Sequence, residues 1–504
     1  MMTPFRDLLM LGLGRGLQVL AGLITIKTAT TVLSPGEVGS MNQLMSLAIL
    51  GTSALLMPMT AYIGRGCLEW LDAGILSRRL GSYLLIILAV ALLCGSVVWV
   101  IQIQLAIVSG MTPVWVAGLV VLYTVGFALH TMGASGLNLI GYRFLYILFV
   151  NLAAWGGLLL AIWWSKQEAS PEMWLLGIFC GFLLSSLSYV ILDRRARESV
   201  HVGPARLPGI LPFDGWTLLM FVGPQAIAFL FFWIQTQSYR FVLSWVADIT
   251  TVGLFAAGYM ICSVPMQTFE NLFNEFYSPT LFRALKGQDR EGIARAWNDY
   301  AAAYIPAVIL FGGFLIGNAA FMVKLLLGEQ FQAIASILVW PALTETFRAI
   351  SSTLHHLGLA KVDMTVNVLP VILGALVAPS LVYFLAPHEP LLGTALALLA
   401  AAMVALAAVI PISRRALPVV WPIRRIMYAA ALAVPLCLLG RAMSVGFGES
   451  SESKAVVALV ISGLAMVFLQ YVMAKEWIRQ VRPIGDRVSE ETEACPQYGA
   501  SSQG

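Results

Sequence analysis

Residues 34–58 read SPGEVGSMNQLMSLAILGTSALLMP, and residues 249–273 read ITTVGLFAAGYMICSVPMQTFENLF. Each is a short polar turn that opens an apolar run. Val38-Gly39 of the first matches Val252-Gly253 of the second at an offset of 214 residues. Under that offset Lys27 falls within one residue of Arg240, and both lie near the same end of the preceding run. Two copies of one pattern predict two related lobes. An even number of apolar spans separates them, so the repeat is parallel, with its axis along the membrane normal.

The chain around these stretches suits a bilayer. Of its 504 residues, 59% are hydrophobic and 11% charged, with a mean hydropathy of +0.84. Soluble domains carry roughly 25% charged residues. About fourteen spans follow one another, at roughly 8–33, 38–64, 81–102, 114–135, 144–165, 172–192, 215–245, 251–278, 299–320, 332–358, 364–386, 392–412, 426–446 and 454–474. Most are about 20 residues long, the length of helix that crosses a ~30 Å hydrocarbon core. A β-barrel would show short alternating segments instead. The fold class is therefore an all-α polytopic membrane protein. The first span carries Arg15 and ends on no small-residue cleavage site, so it is expected to stay in the chain. The six cysteines are scattered, form no CxxC and have no histidine cluster beside them. They read as small hydrophobes, and no metal or other cofactor is expected.

Basic residues orient the spans. With the N-terminus inside, about 22 of the 30 Lys and Arg fall on the cytoplasmic side, about three (Lys166, Lys324, Lys454) fall outside, and about five lie within spans. Both termini are then cytoplasmic. The net charge of +4 is mostly this topology signal, so no nucleic-acid partner is expected. No outer loop exceeds roughly a dozen residues. The inner loop 193–214 contains Gly203, Pro204, Pro208, Gly209 and Pro212 and reads as a linker. The expected layout is a first lobe over 1–192, the linker 193–214, a second lobe over 215–412, an appended helix pair over 413–474 and a polar, disordered cytoplasmic tail over 475–504.

Several spans carry polar stripes. Gln267, Glu270, Asn271, Asn274 and Ser278 share one helical face in the eighth, with Glu275 beside them. Asn42, Ser46, Ser53 and Thr60 do so in the second, and Glu345, Arg348, Ser352 and His355 in the tenth. The first span has Arg15, Gln18 and Thr25 on one face and Lys27 about 120° away. The seventh has Gln225, Gln235, Gln237 and Arg240. A charge at mid-membrane costs at least ~2.5–3.5 kcal/mol, so such stripes face one another or a wet cavity. Plainer readings stand beside this one. Lys27 and Arg441 lie near a span end and can snorkel. Glu345 and Arg348 can neutralise each other, and the amides can join helices. Trp163, Trp164 and Trp174 read as an interface belt. His355-His356 lacks a partner carboxylate at metal spacing. No Walker loop, GxSxG or HExxH occurs, so no catalytic residues are assigned.

The stretch FFWIQTQSYRFVLSWVADITTVGLFAAGYMICSVP (231–265) and the turn SPGEVGSMNQL (34–44) resemble polysaccharide flippases of the Wzx type. These belong to the multidrug/oligosaccharidyl-lipid/polysaccharide exporter superfamily. The resemblance covers most of spans one to twelve. It departs at Tyr239-Arg240, where family members often have Asp-Arg.

The resemblance implies two six-helix lobes in a V around a central cavity. It implies transport, by alternating access, of undecaprenyl-pyrophosphate-linked oligosaccharide across the bacterial inner membrane for O-antigen, capsule or exopolysaccharide synthesis. Lipid-linked oligosaccharide and membrane lipids are the expected partners, and the polysaccharide polymerase machinery is a further candidate. A pyrophosphate needs charge-assisted partners, and arginine suits bidentate phosphate contacts. Arg15, Lys27, Arg240 and Arg348 are the candidate phosphate ligands, with Asn42 and Gln235 as further substrate contacts. Glu270 and Glu345, with Asn271 and Asn274, are the candidates for coupling to a proton or cation, and Glu270 has no cation near it in sequence. The alternatives are a drug or small-molecule antiporter on the same fold, and a membrane glycan ligase or polymerase. The excess of buried Arg and Lys weighs against the first, and the short outer loops against the second.

Overall fold

The computed structural model describes residues 4–198, 215–286, 290–361, 368–447 and 452–493. Every regular element among them is a helix. In chain order these are α1 Pro4–Val32, α2 Pro35–Asp72, α3 Leu76–Leu105, α4 Pro113–Leu139, α5 Arg143–Ser165 and α6 Pro171–Glu198. α7 is Gly215–Gln237, continued past a break at Ser238 by Tyr239–Val246. Then come α8 Ile249–Lys286, α9 Arg290–Gly317, α10 Val339–Lys361, α11 Val368–Leu385, α12 Pro390–Ala416, α13 Ile423–Phe447 and α14 Glu452–Glu493. Twelve helices among the described residues are long and apolar enough to cross a membrane, or thirteen counting Glu329–Ile337 with Val339–Thr353 as one bent span. The remaining expected span is α1, 29 residues long. This is a multi-pass membrane protein.

Local chemistry sets the helix starts. Proline occupies the first turn of α2, α4, α6 and α12, where its missing N–H costs nothing. In the turn SPGE, the Ser34 side chain accepts from the Glu37 N–H while the Glu37 carboxylate accepts from the Ser34 N–H at 2.7 Å. This capping box satisfies two end donors at once. Outward-facing Leu85, Leu92 and Val114 are exposed in the chain alone, as lipid-facing residues must be.

The two sequence copies meet in the structure. A Cβ built on Gly39 would fall on the Ile249 carbonyl, and one built on Gly253 would fall on the Pro35 carbonyl. Pro35 and Ile249, like Gly39 and Gly253, are 214 residues apart. Between them, a Cβ built on Gly36 would lie 3.7 Å from the hydroxyl of Thr250, its own counterpart. A contact from i to the copy of j, matched by one from j to the copy of i, is the pattern of a two-fold axis. Only glycine allows the backbones so close.

α13 and α14 pack outside this pair of halves. α13 runs along α9, so closely that a Cβ built on Gly313 would meet Ala433 and one built on Gly317 would meet the Cys437 backbone. Small residues let membrane helices approach in this way.

Four expectations are corrected. α6 continues to Glu198, past the expected end at 192, and the rest of the linker lies outside the described residues. The tail expected to be disordered is helical as far as Glu493; four Glu and three Arg favour helix there, and Pro483 and Gly485 do not end it. The segment before α10 forms a short helix, Ala319–Leu326, and a 3-10 turn, Glu329–Ile337, that meets α10 at 65°. Trp174 is buried in the core rather than belted at the interface, because it packs inside the α4–α6 bundle.

Candidate functional site

Glu345 and Arg348 lie one turn apart on α10, and α8 brings Glu270 against them. Arg348 Nε donates to Glu345 at 2.8 Å, and an Nη donates to Glu270 at 3.0 Å. The Tyr259 hydroxyl donates to the other Glu345 oxygen. Glu345 is 1% exposed and Glu270 9%. The expectation that Glu270 has no cation beside it is therefore wrong: sequence neighbours could not show a partner 78 residues away. Arg348, offered as a phosphate ligand, is held between two carboxylates. If both ionise, the cluster carries one surplus negative charge.

Tyr259 was missed by sequence reasoning. The signal was present, since it precedes Glu270 by eleven residues, about three helical turns on one face. On that face Gln267 and Asn271 are exposed, while the Asn274 side chain accepts from the Tyr300 hydroxyl at 2.9 Å. Exposed amides on a membrane-length helix need water rather than lipid. The side chains of Glu275, Ser278, His355 and His356 lie outside the described residues.

Arg240 lies elsewhere, buried where α7 meets α2. Its guanidinium donates to Ser46 at 2.5 Å, to Gln237, and to the Tyr239 hydroxyl at 3.2 Å. Nearby, Gln43 donates to Ser244 at 2.9 Å and Trp233 donates to the Ser46 carbonyl at 2.7 Å. This network ties α2 to α7. Asn42 is buried and donates to Val38 of its own helix at 2.8 Å, and Gln235 packs against Gly374 of α11.

α1 carries the remaining cations. Arg15 donates to Gln18 at 2.6 Å and to the Tyr146 hydroxyl of α5 at 2.5 Å. The Lys27 ammonium donates to the Leu327 carbonyl at 2.9 Å, and the Gly328 N–H donates to Thr30 at 3.0 Å. These bonds close α1 onto the second half at the end away from the basic loops. Gly22 still touches Val264 of α8, but a Cβ on Gly12 or Gly16 would meet nothing within 4 Å. The structure thus places the candidates in three groups: the α8–α10 cluster, the α2–α7 network and α1. Among the described residues no group of His, Cys, Asp and Glu could hold a metal ion.

Residues 209–336 match a family model described as "Polysaccharide biosynthesis protein". A comparison with curated proteins finds no match. Among solved structures, the fold is similar to the lipid II flippase MurJ in an inward closed conformation, at 14% identity and a TM-score of 0.66, covering 95% of this chain and 99% of that one. It is similar to an inward-facing multidrug resistance MATE transporter of the MOP superfamily, at 14% identity and TM-score 0.52, covering 79% and 95%. A MOP superfamily transporter from Pyrococcus furiosus matches at 13% identity and TM-score 0.53, covering 84% and 94%. The resemblance to polysaccharide exporters of this superfamily stands on the family model and the fold together.

Proposed function

We propose that this chain, with the fold of the MOP transporters and a match to the polysaccharide biosynthesis model, is a flippase for oligosaccharide carried on undecaprenyl pyrophosphate. It would act at the bacterial inner membrane with both termini cytoplasmic, in O-antigen, capsule or exopolysaccharide synthesis. The family-model match over 209–336 carries this reading, because it sets polysaccharide biosynthesis beside a transporter fold, and moving the glycan across the membrane is the step of that synthesis a transporter can perform. Two lobes, 1–198 and 215–412, joined by 199–214, rock about the axis between Gly36 and Thr250. The helix pair in 413–474 rides on the second lobe, and the polar segment 475–504 follows it.

The polar face of α8 is the wet wall of the cavity between the lobes. The cavity opens toward the basic, cytoplasmic end. Arg15 meets the pyrophosphate there. Arg240, Asn42 and Gln235 become substrate contacts only if the α2–α7 network opens during the cycle. Glu270, with Asn271 and Asn274 beside it, takes up the coupling proton or cation. Glu345 holds Arg348 in place, which lessens the part of Arg348 as a phosphate ligand.

A strain lacking its own flippase tests this. Expression of the chain at matched levels is expected to restore surface polysaccharide. Restored drug efflux without polysaccharide would support the antiporter alternative.

A further inference from the structure

A cavity of about 730 Å³ lies at the end away from the basic loops, bounded by α1, the short helix Ala319–Leu326, the 3-10 turn, Ser444 of α13 and Glu452 at the start of α14. Its charged lining is Lys27, Lys324, Glu329 and Glu452. The two lysines are half-buried, and the two glutamates are exposed. Cations therefore sit deeper and carboxylates stand at the rim. Lys27 spends one donor on the Leu327 carbonyl, and an ammonium has three.

We propose that this cavity binds a zwitterionic phospholipid head group, a phosphate bearing an ammonium, with the phosphate toward Lys27 and Lys324 and the ammonium toward Glu329 and Glu452. A purely anionic group would gain from the lysines but meet repulsion at the rim. A purely cationic group would meet the reverse. Depth favours a lipid as the source. Lys27 is five residues from the end of α1 at Val32, or about 8 Å along the axis. That is the thickness of one head-group layer, roughly 5–8 Å.

The site also gives the appended helices a task. The α14 start is seated on the short helix by Phe321 against Ala455 and Ala458, and Ser462 donates to Asn318 at 2.9 Å. A head group between Lys27 and Glu452 would tie α1 of one half to α14 on the other. The proposal does not depend on the transported substrate.

The test uses the full chain, purified and reconstituted with equimolar phosphatidylethanolamine and phosphatidylglycerol, then released into native mass spectrometry. Phosphatidylethanolamine is expected to be retained roughly fivefold or more over phosphatidylglycerol. Lys324→Ala should lower retention of both lipids, through the phosphate. Glu452→Gln, an exposed change that leaves packing alone, should bring the ratio toward one. Soluble O-phosphoethanolamine should compete only weakly. Equal retention of the two lipids, or a preference untouched by either variant, overturns the proposal. Full competition by O-phosphoethanolamine would overturn the lipid as the source.

Discussion

Arg348 is the residue whose loss should cost most. It bridges two nearly buried carboxylates, Glu345 at 2.8 Å and Glu270 at 3.0 Å. Removing one partner of a buried ion pair costs about 3–5 kcal/mol, because the remaining charge is left unpaired. Arg348→Ala is therefore expected to lower the melting temperature of the purified protein. Adding Glu345→Gln should recover part of the loss. Melting of Arg348→Ala at the wild-type temperature would mean the cluster is solvated. The coupling role falls to Glu270 for a reason of access. Both carboxylates touch Arg348, but Glu345 is also bonded by Tyr259 and almost sealed, while exposed Gln267 and Asn271 flank Glu270. Glu270→Gln should flatten the pH dependence of transport more than Glu345→Gln does, and an unchanged profile would remove that role. Arg15 tests the phosphate contact. Arg15→Ala should abolish polysaccharide export while the protein still inserts, since losing the charge lowers the insertion cost. Arg15→Lys should restore only part, lacking the guanidinium fork. Tyr146→Phe removes the hydroxyl bond to α5 but keeps the charge and the ring beside it, so it should export well. Loss of export in Tyr146→Phe equal to that in Arg15→Ala would make Arg15 a packing residue.

At the scale of elements, the glycine contacts of α2 and α8 are the device that needs testing. A Cβ added to Gly36 would lie 3.7 Å from the Thr250 hydroxyl oxygen, within reach of a disulfide if both become cysteine. In a background with the native cysteines replaced, Gly36→Cys with Thr250→Cys should cross-link under mild oxidation. Transport should stop and return on reduction, if this end must open during the cycle. Full transport by the cross-linked protein would show that it does not open. The repeat behind this contact was legible from Val38-Gly39 and Val252-Gly253 alone, because a close backbone approach demands glycine wherever it recurs. The span lengths were legible for an equally local reason, the number of residues a helix needs to cross the hydrocarbon core. The bend before α10 was not, because a short apolar helix and a 3-10 turn have the composition of a continuing span. Nor was the pairing of Glu270 with Arg348. Stripes show which face of a helix is polar, but not which helix answers it. Tyr259 lay on a readable face and was hidden by the apolar look of its ring.

Across the whole molecule, the proposed cycle has two lobes that alternate around a wet interior and carry a large amphiphile from one leaflet to the other. The exposed amides of α8 and the bonds that close α1 onto Leu327 and Gly328 fit one half of such a cycle. The most direct measurement places the purified chain in vesicles loaded with an undecaprenyl-pyrophosphate oligosaccharide and adds a glycosidase that cannot cross the membrane. Without the protein, about half of the sugar should stay protected, on the inner leaflet. With it, digestion should run close to completion, and Arg15→Ala should return it to the protein-free level. Digestion that stops at the protein-free level with the unaltered chain, in vesicles where it is shown to be folded and correctly inserted, would contradict the account.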